Sequence, residues 1–385
     1  MQHPFYKLVV YYAALVGVGL IVGTLGPVLG DLAAQTGTTL QQVSLVLAMR
    51  PLGYLGGTFL SGWVLERRPG HPVLALAAVL AAALLALVPL APSLSVLALL
   101  ILGMGLAQGL VDVGSNSLIT WVFHGRLGPY LSGLHFSFGV GAFAAPLLVA
   151  WVLQAQGRSA GVFWILAGYL LFLALLFWRV PSPPHAEDAP LPTSPAPPTD
   201  KKLGWLFLAC FFLYGGTESG FGAWIYHYAL AYDSAATARA ALLTSAFWGL
   251  LGLGRLAGIP VLARFTPRQF LSVLMPLAMA GFSVAVLWPG RVWSLWAGAV
   301  GAGLAMACVF PTLQVFAGQS LSRGSRVSSR LTSFFFVGSA SGSMTLPWLM
   351  GQVFEPLGPR AALSIPALGA VGMAACFWLI RRRGL

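Results

Sequence analysis

The chain has 385 residues, of which 58% are hydrophobic and 8% charged. Soluble folds carry about 25% charged residues, so this composition excludes one. Long unbroken apolar runs also exclude a membrane β-barrel, whose strands alternate polar and apolar residues. The net charge of +12 does not point to nucleic acid. The cations sit in short loops between apolar segments, where they set membrane orientation, and no basic domain accompanies them.

A spanning helix needs about 20 residues. Six spans are predicted in the first half, over 8–30, 42–65, 72–90, 94–121, 130–153 and 161–178. Six more follow over 204–230, 240–263, 269–287, 293–317, 331–354 and 361–380. The expected fold is an all-α polytopic membrane protein with two six-helix pseudo-symmetric bundles, 1–178 and 204–385. Residues 179–203 between them hold Pro-Ser-Pro-Pro-His and Pro-Thr-Ser-Pro-Ala-Pro-Pro. Such a stretch cannot form a helix and reads as a solvated cytoplasmic linker. The start of the chain, Met1 to Lys7, leads into a long apolar run without an obvious cleavage site, which reads as a first span rather than a signal peptide. Cys210, Cys308 and Cys376 lie inside apolar runs and form no disulfide framework.

With both termini inside, 15 of the 21 Lys and Arg residues fall in or beside inner loops. Four, Arg158, Arg239, Arg291 and Arg360, fall outside, and Arg50 and Arg255 lie within spans. This asymmetry predicts an even number of spans and cytoplasmic termini. Arginine outnumbers lysine 18 to 3, which suggests a high-GC bacterial source and a plasma (inner) membrane location.

The halves also read as repeats. Gly53 and Gly57 in span 2 match Gly254 and Gly258 in span 8 at an offset of 201 residues. Gly141 and Gly342, Pro146 and Pro347, and Arg67 and Arg268 share that offset, while Gly105 and Gly303 differ by 198. Two parallel six-helix halves are the organisation of major facilitator transporters. Small residues of this kind let backbones approach closely, as a rocking interface between halves requires.

Nine acids exist, and only Asp112 and Glu218 lie deep in spans. Burying a carboxylate in a membrane is costly, so both are candidate coupling residues that exchange a proton or hold sodium. Gln108, Asp112 and Asn116 recur every four residues and share one face of span 4. That stripe faces a water-filled cavity or clamps another span, for instance through Arg50. Around Glu218, four glycines in eight residues argue against a regular helix and for a broken one, the kind that forms substrate sites. Tyr214 and Trp224 in that run are candidate substrate contacts; the aromatics Trp224, Tyr226 and Tyr228 fit either sugar stacking or an interfacial belt. His227 is expected at the interface. His135 in span 5 is a substrate or proton-sharing candidate or a structural histidine, and Gln314 in span 10 is a further candidate by analogy with span 4.

The loop Gly62-Trp-Val-Leu-Glu-Arg-Arg-Pro-Gly-His71 resembles the major facilitator signature, with Glu66 replacing Asp and His71 standing where a base is usual. That resemblance implies a gate built on Glu66 and Arg67. Gly109-Leu-Val-Asp-Val-Gly-Ser-Asn116 is similar to the span 4 segment of the fucose:proton symporter family, and in particular to its sodium-dependent glucose transporter-like branch. Leu29 to Thr36, Gly128 to Gly139 and Tyr214 to Tyr228 match the same branch. The resemblance implies a monomeric sugar carrier working by alternating access, with Asp112 and Glu218 as its acids. Fucose carriers of this family have an acid in span 1, whereas here Asp31 stands only at that span's outer end.

The expected function is import of a hexose-like monosaccharide driven by a proton or sodium gradient, with no bound cofactor. The competing reading on the same fold is a proton-coupled efflux antiporter for amphipathic compounds. No G-x-S-x-G, zinc-ligand spacing or P-loop is present, so an enzyme is not expected.

Overall fold

The computed structural model describes residues 4–123, 127–184, 201–232, 237–262, 264–321 and 329–382. They form twelve long helices. The first six are α1 (Pro4–Thr36), α2 (Leu45–Leu65), α3 (Gly70–Leu87), α4 (Leu94–Val122), α5 (Leu127–Gln156) and α6 (Ala160–Arg179). The second six are α7 (Lys201–Tyr232), α8 (Thr237–Leu262), α9 (Pro267–Leu287), α10 (Val292–Leu321), α11 (Ser329–Phe354) and α12 (Pro359–Arg382). A one-turn helix, Leu40–Val43, precedes α2. No strand occurs among the described residues. Most of the Pro-rich segment, 185–200, lies outside them.

Ten of the twelve helices are long and apolar enough to cross a membrane on composition alone. The other two, α7 and α11, are rich in Gly, Ser and Thr, and they pack against each other inside the second half. Exposed tryptophans mark the two bilayer edges, where an amphipathic ring is at home. Trp63, Trp178, Trp205 and Trp378 lie at the face that carries both chain ends, called here the near face. Trp151, Trp164, Trp288 and Trp293 lie at the opposite, far face.

The repeat is visible in the turns. Gly157 after α5 and Gly358 after α11 lie 201 residues apart, and both adopt positive φ, 68° and 86°. A residue with a Cβ is strained in that conformation, so glycine suits both turns, directly after α5 in one half and directly before α12 in the other.

The paired glycines pack within each half, not between the halves as expected. A Cβ on Gly53 or Gly57 would strike the carbonyls of Leu102 and Leu106 on α4. Gly254 faces Ala307 and Gly258 faces Cys308, both on α10. Gly141 abuts Val16 of α1, and Gly342 abuts Phe212 of α7. These contacts bind each bundle into a rigid unit. The close approaches between bundles use glycines that belong to no repeat pair. A methyl group at Gly139 of α5 would sit 2.8 Å from the Gly252 Cα of α8. One at Gly26 of α1 would strike Ala223 of α7.

The expected break in span 7 is absent. The helix α7 runs without interruption from Lys201 to Tyr232. Its glycines admit neighbours instead: Gly215 receives Ser339, Gly216 receives Leu346 and Gly222 receives the Trp248 ring. Tertiary packing thus offsets the weak helix preference of this segment.

At the far face the halves are sealed together. The Glu355 carboxylate, just past α11, accepts the backbone N–H of Leu40 at 3.2 Å and of Gln41 at 3.0 Å. Gln41 Nε2 donates to Gln352 Oε1 at 3.2 Å, and Gln352 Nε2 donates to the Gln41 carbonyl at 3.1 Å. His227 reaches the Gly26 carbonyl at 2.9 Å. It is therefore buried between α7 and α1, not at the membrane interface as expected. Tyr228, also buried, donates to the Ala285 carbonyl at 2.9 Å.

Candidate functional site

A cavity lies between the halves near mid-membrane. It is lined by Val22, Leu25 and Gly26 of α1, Leu47 and Arg50 of α2, Ser219 and Ala223 of α7, Trp248 of α8, and Ser343 and Pro347 of α11. The lining draws on five helices, two from the first half and three from the second.

On the near side of this cavity sits Asp112. Tyr54 Oη of α2 donates to Asp112 Oδ2 at 2.9 Å, and Asn116 Nδ2 donates to Oδ1 at 2.9 Å. Asn116 also reaches the Asp112 carbonyl at 3.0 Å. Gln108, one turn before Asp112, is buried, and its Oε1 accepts from Arg50 Nη1 at 3.3 Å. The polar stripe of span 4 therefore clamps α2 to α4, and none of its three residues lines the cavity.

In the second half, Glu218 pairs with Arg255 of α8 at 3.5 Å, with side chains 12% and 21% exposed. Tyr214, one turn before Glu218, lies beside this pair with its buried hydroxyl directed at both groups. His135 projects from α5 with an open surface and lies within electrostatic reach of Arg255. Three predicted residues, Asp112, Gln108 and Asn116, thus gather with Tyr54 and Arg50 in the first half, and three more, Glu218, Tyr214 and His135, gather around Arg255 where α5 meets the second half.

None of the six predicted substrate contacts, Gln108, Asn116, His135, Tyr214, Trp224 and Gln314, is among the residues lining the cavity. Trp224 is fully buried, donates from Nε1 to the Pro347 carbonyl at 2.8 Å, and packs on Phe354 with ring centroids 4.8 Å apart. It seals the far side. Gln314 is partly exposed on α10 and is not among the cavity-lining residues.

Glu66 and Arg67 touch each other at 3.4 Å and remain exposed at the near face. Arg67 also donates to the Trp63 carbonyl at 2.8 Å. His71 does not stand in for the signature's base. It is buried, bonded to Tyr11 Oη at 2.8 Å and to the Val180 carbonyl at 2.7 Å, and so staples the loop to α1 and to the end of α6.

Sequence reasoning missed Tyr54 and Trp248. Tyr54 lies 201 residues before Arg255, so the repeat itself marks it. Trp248 is 4% exposed, and its indole N–H has no partner among the described residues. An unpaired buried donor costs about 1–3 kcal/mol. No pattern in the sequence distinguishes it from an ordinary membrane tryptophan.

Two six-helix bundles thus pack about a cavity lined from both halves, with polar contacts joining them at the far face. Residues 11–343 match the family model described as Major Facilitator Superfamily, and the chain belongs to that superfamily. It is a multi-pass membrane transporter, not an enzyme. It is 27% identical over 366 residues to sodium-dependent glucose transporter 1 of Xenopus laevis, covering 87% of this chain and 73% of that protein. Sodium-dependent glucose transporter 1A of Mus musculus is 27% identical over 377 residues, with 88% of each chain covered. Among solved structures, the nucleoside transporter NupG matches with a TM-score of 0.76 at 13% identity, covering 99% of both chains. A bacterial homologue of the human lysosomal transporter Spinster, solved in an inward-facing and occupied conformation, matches with a TM-score of 0.73 at 15% identity, covering 98% of this chain and 96% of that one. The relatives agree with the resemblance read from span 4 and span 7.

Proposed function

We propose that this transporter imports a monosaccharide by alternating access, coupled to a proton or sodium gradient through Asp112. The observation that supports this most is the setting of Asp112. A carboxylate at mid-membrane, held only by the neutral donors Tyr54 and Asn116, can exchange a cation without breaking an ion pair. Gln108, Asn116, Tyr214 and His135 would present hydrogen-bonding groups toward a polyol. Glu218, held by Arg255, would be the second charge on the path. The glucose transporters among the relatives support a sugar as substrate.

In this reading the near face is cytoplasmic, the membrane is a bacterial inner membrane, and the protein works as a monomer without a bound cofactor. In the same reading the sealed far face is the outer one, which supports an inward-facing state. Glu66 and Arg67, exposed here, would engage the second half only when the near face closes.

Uptake of labelled hexoses and nucleosides into proteoliposomes, with proton and sodium gradients imposed separately, tests the proposal. Gradient-driven accumulation of a sugar is the expected result and names the coupling ion. Accumulation of a nucleoside alone would replace the substrate class. No uptake of either by folded protein would favour the efflux antiporter.

A further inference from the structure

The central cavity carries more hydrogen-bond donors than its walls can satisfy. Arg50 lies within the span of α2, about one and a half turns from its far-face end, where an unpaired charge is still costly. Among the described residues no carboxylate lies within ion-pair distance of it. Its single hydrogen bond goes from Nη1 to Gln108 Oε1. A guanidinium has five N–H donors. The nearby Asp112 is spent on Tyr54 and Asn116. Arg255, the other arginine within the spans, does have an acid partner in Glu218.

Across the cavity the second half offers the unpartnered N–H of Trp248. The other buried tryptophan of this region, Trp224, satisfies its own N–H on Pro347. Ser219 and Ser343, also in the lining, are bonded to each other at 3.0 Å, and Ser343 donates onward to the Gly215 carbonyl. The remaining lining is apolar or glycine. The cavity therefore asks for a ligand that brings acceptor oxygens to both sides and a negative charge to one.

We infer that the site takes an anionic sugar, a hexuronate or other sugar acid, whose carboxylate binds Arg50 of the first half while another of its oxygens accepts from Trp248 of the second. A carboxylate matches the guanidinium fork with two parallel hydrogen bonds. Because the two donors belong to different bundles, a ligand that fills both holds the halves together. Occupancy then favours closure, which is the step a carrier needs. This inference rests on the monosaccharide reading above and narrows it.

The test is binding to the purified full chain in detergent, followed by tryptophan fluorescence and by ligand-induced thermal stabilisation. Glucuronate and glucose are the probes, each also tried as a competitor of the other. The expected result is glucuronate bound at least about tenfold more tightly than glucose, a preference worth about 1.4 kcal/mol. Arg50→Gln should erase the preference and Arg50→Lys should keep part of it, since a lysine retains charge but not the fork. Trp248→Phe should weaken both sugars by about three- to tenfold, in line with loss of one ligand hydrogen bond. Arg50→Lys and the wild-type competition keep the test decisive if Arg50→Gln does not fold. Glucose bound as tightly as glucuronate by the wild type would overturn the inference and leave the monosaccharide reading standing. Binding of neither sugar would overturn both.

Discussion

Tyr54 and Arg255 occupy the same position in the two halves, 201 residues apart, yet they serve different acids in different ways. Tyr54 donates a neutral hydrogen bond to Asp112 on α4. Arg255 forms an ion pair with Glu218 on α7. The position on α10 that matches Asp112, at the offset of 198, is Phe310. Phe310 belongs to an aromatic cluster with Phe211, Tyr214 and Phe336. The first half thus keeps its acid free of counter-charge, and the second half neutralises its own. A carrier gains from this division. Under the proposed coupling, a gradient ion would act on one half while the other keeps a constant charge through the cycle.

The comparison is broken most directly at Asp112. Asp112→Asn retains the size of the side chain and removes the exchangeable charge. Uphill accumulation should be abolished, while exchange of labelled substrate across a membrane without a gradient persists. Both are read in proteoliposomes. Concentrative uptake at the wild-type level would remove Asp112 from the coupling role.

Glu218→Gln acts on the opposite arrangement. It leaves Arg255 without its acid in a largely buried site, and breaking such a pair from one side costs about 2–4 kcal/mol here, discounted for the partial exposure of both groups. The thermal midpoint in detergent should fall clearly. A double variant, Glu218→Gln with Arg255→Gln, should recover much of the loss, because no charge is then left alone. Equal midpoints for the single variant and the wild type would show that Glu218 is not held by this pair.

Gly139→Val addresses the seam between the halves. Its side chain would drive α5 away from Gly252 of α8, where the backbones nearly touch. Overpacking of this kind costs about 1–3 kcal/mol. Each bundle retains its own glycine contacts, so the protein should fold and transport should slow by about tenfold or more. By contrast, Gly53→Val acts inside the first half against the Leu102 carbonyl. It should lower folded yield before it alters turnover.

Much of this architecture was legible in the residue pattern. The spans, the even crossing number and the offset of 201 follow from hydropathy, charge placement and glycine spacing, all of which one chain records locally. The glycine pattern revealed that close packing exists but not with whom. Gly53 meets α4 in its own half, whereas Gly139 meets α8 in the other. The polar face of Gln108, Asp112 and Asn116 was visible because helical spacing is a property of one segment. Its partners Tyr54 and Arg50 lie 58 residues away from Asp112 and Gln108 respectively. The failure at span 7 has a physical cause. Glycine weakens an isolated helix, but here Gly215, Gly216 and Gly222 each admit a neighbouring side chain that supports it. Trp224 looked like a sugar platform for a related reason: a tryptophan's neighbours, here Pro347 and Phe354, decide whether its face is free.

The two faces of the molecule differ as sharply as the two halves, and the smallest expected effect lies there. The far face is held by Glu355, which caps two backbone N–H groups across the seam, and by the reciprocal Gln41–Gln352 bonds. Among the described residues, the Glu66–Arg67 corner of the near face has no such bond to the second half. Replacing a carboxylate acceptor by an amide keeps the shape and weakens charge-assisted bonds, by about 1 kcal/mol in total. Glu355→Gln should therefore shift the balance of states about fivefold toward one open at the far face. A cysteine introduced by Ala223→Cys, in the cavity wall, reads this shift. An impermeant maleimide added at the far face should label it about fivefold faster in the Glu355→Gln background. Substrate should slow that labelling if the occupied carrier closes around it. An unchanged rate would mean that the apolar seal of Trp224 and Phe354 holds the far face shut without help from the polar latch.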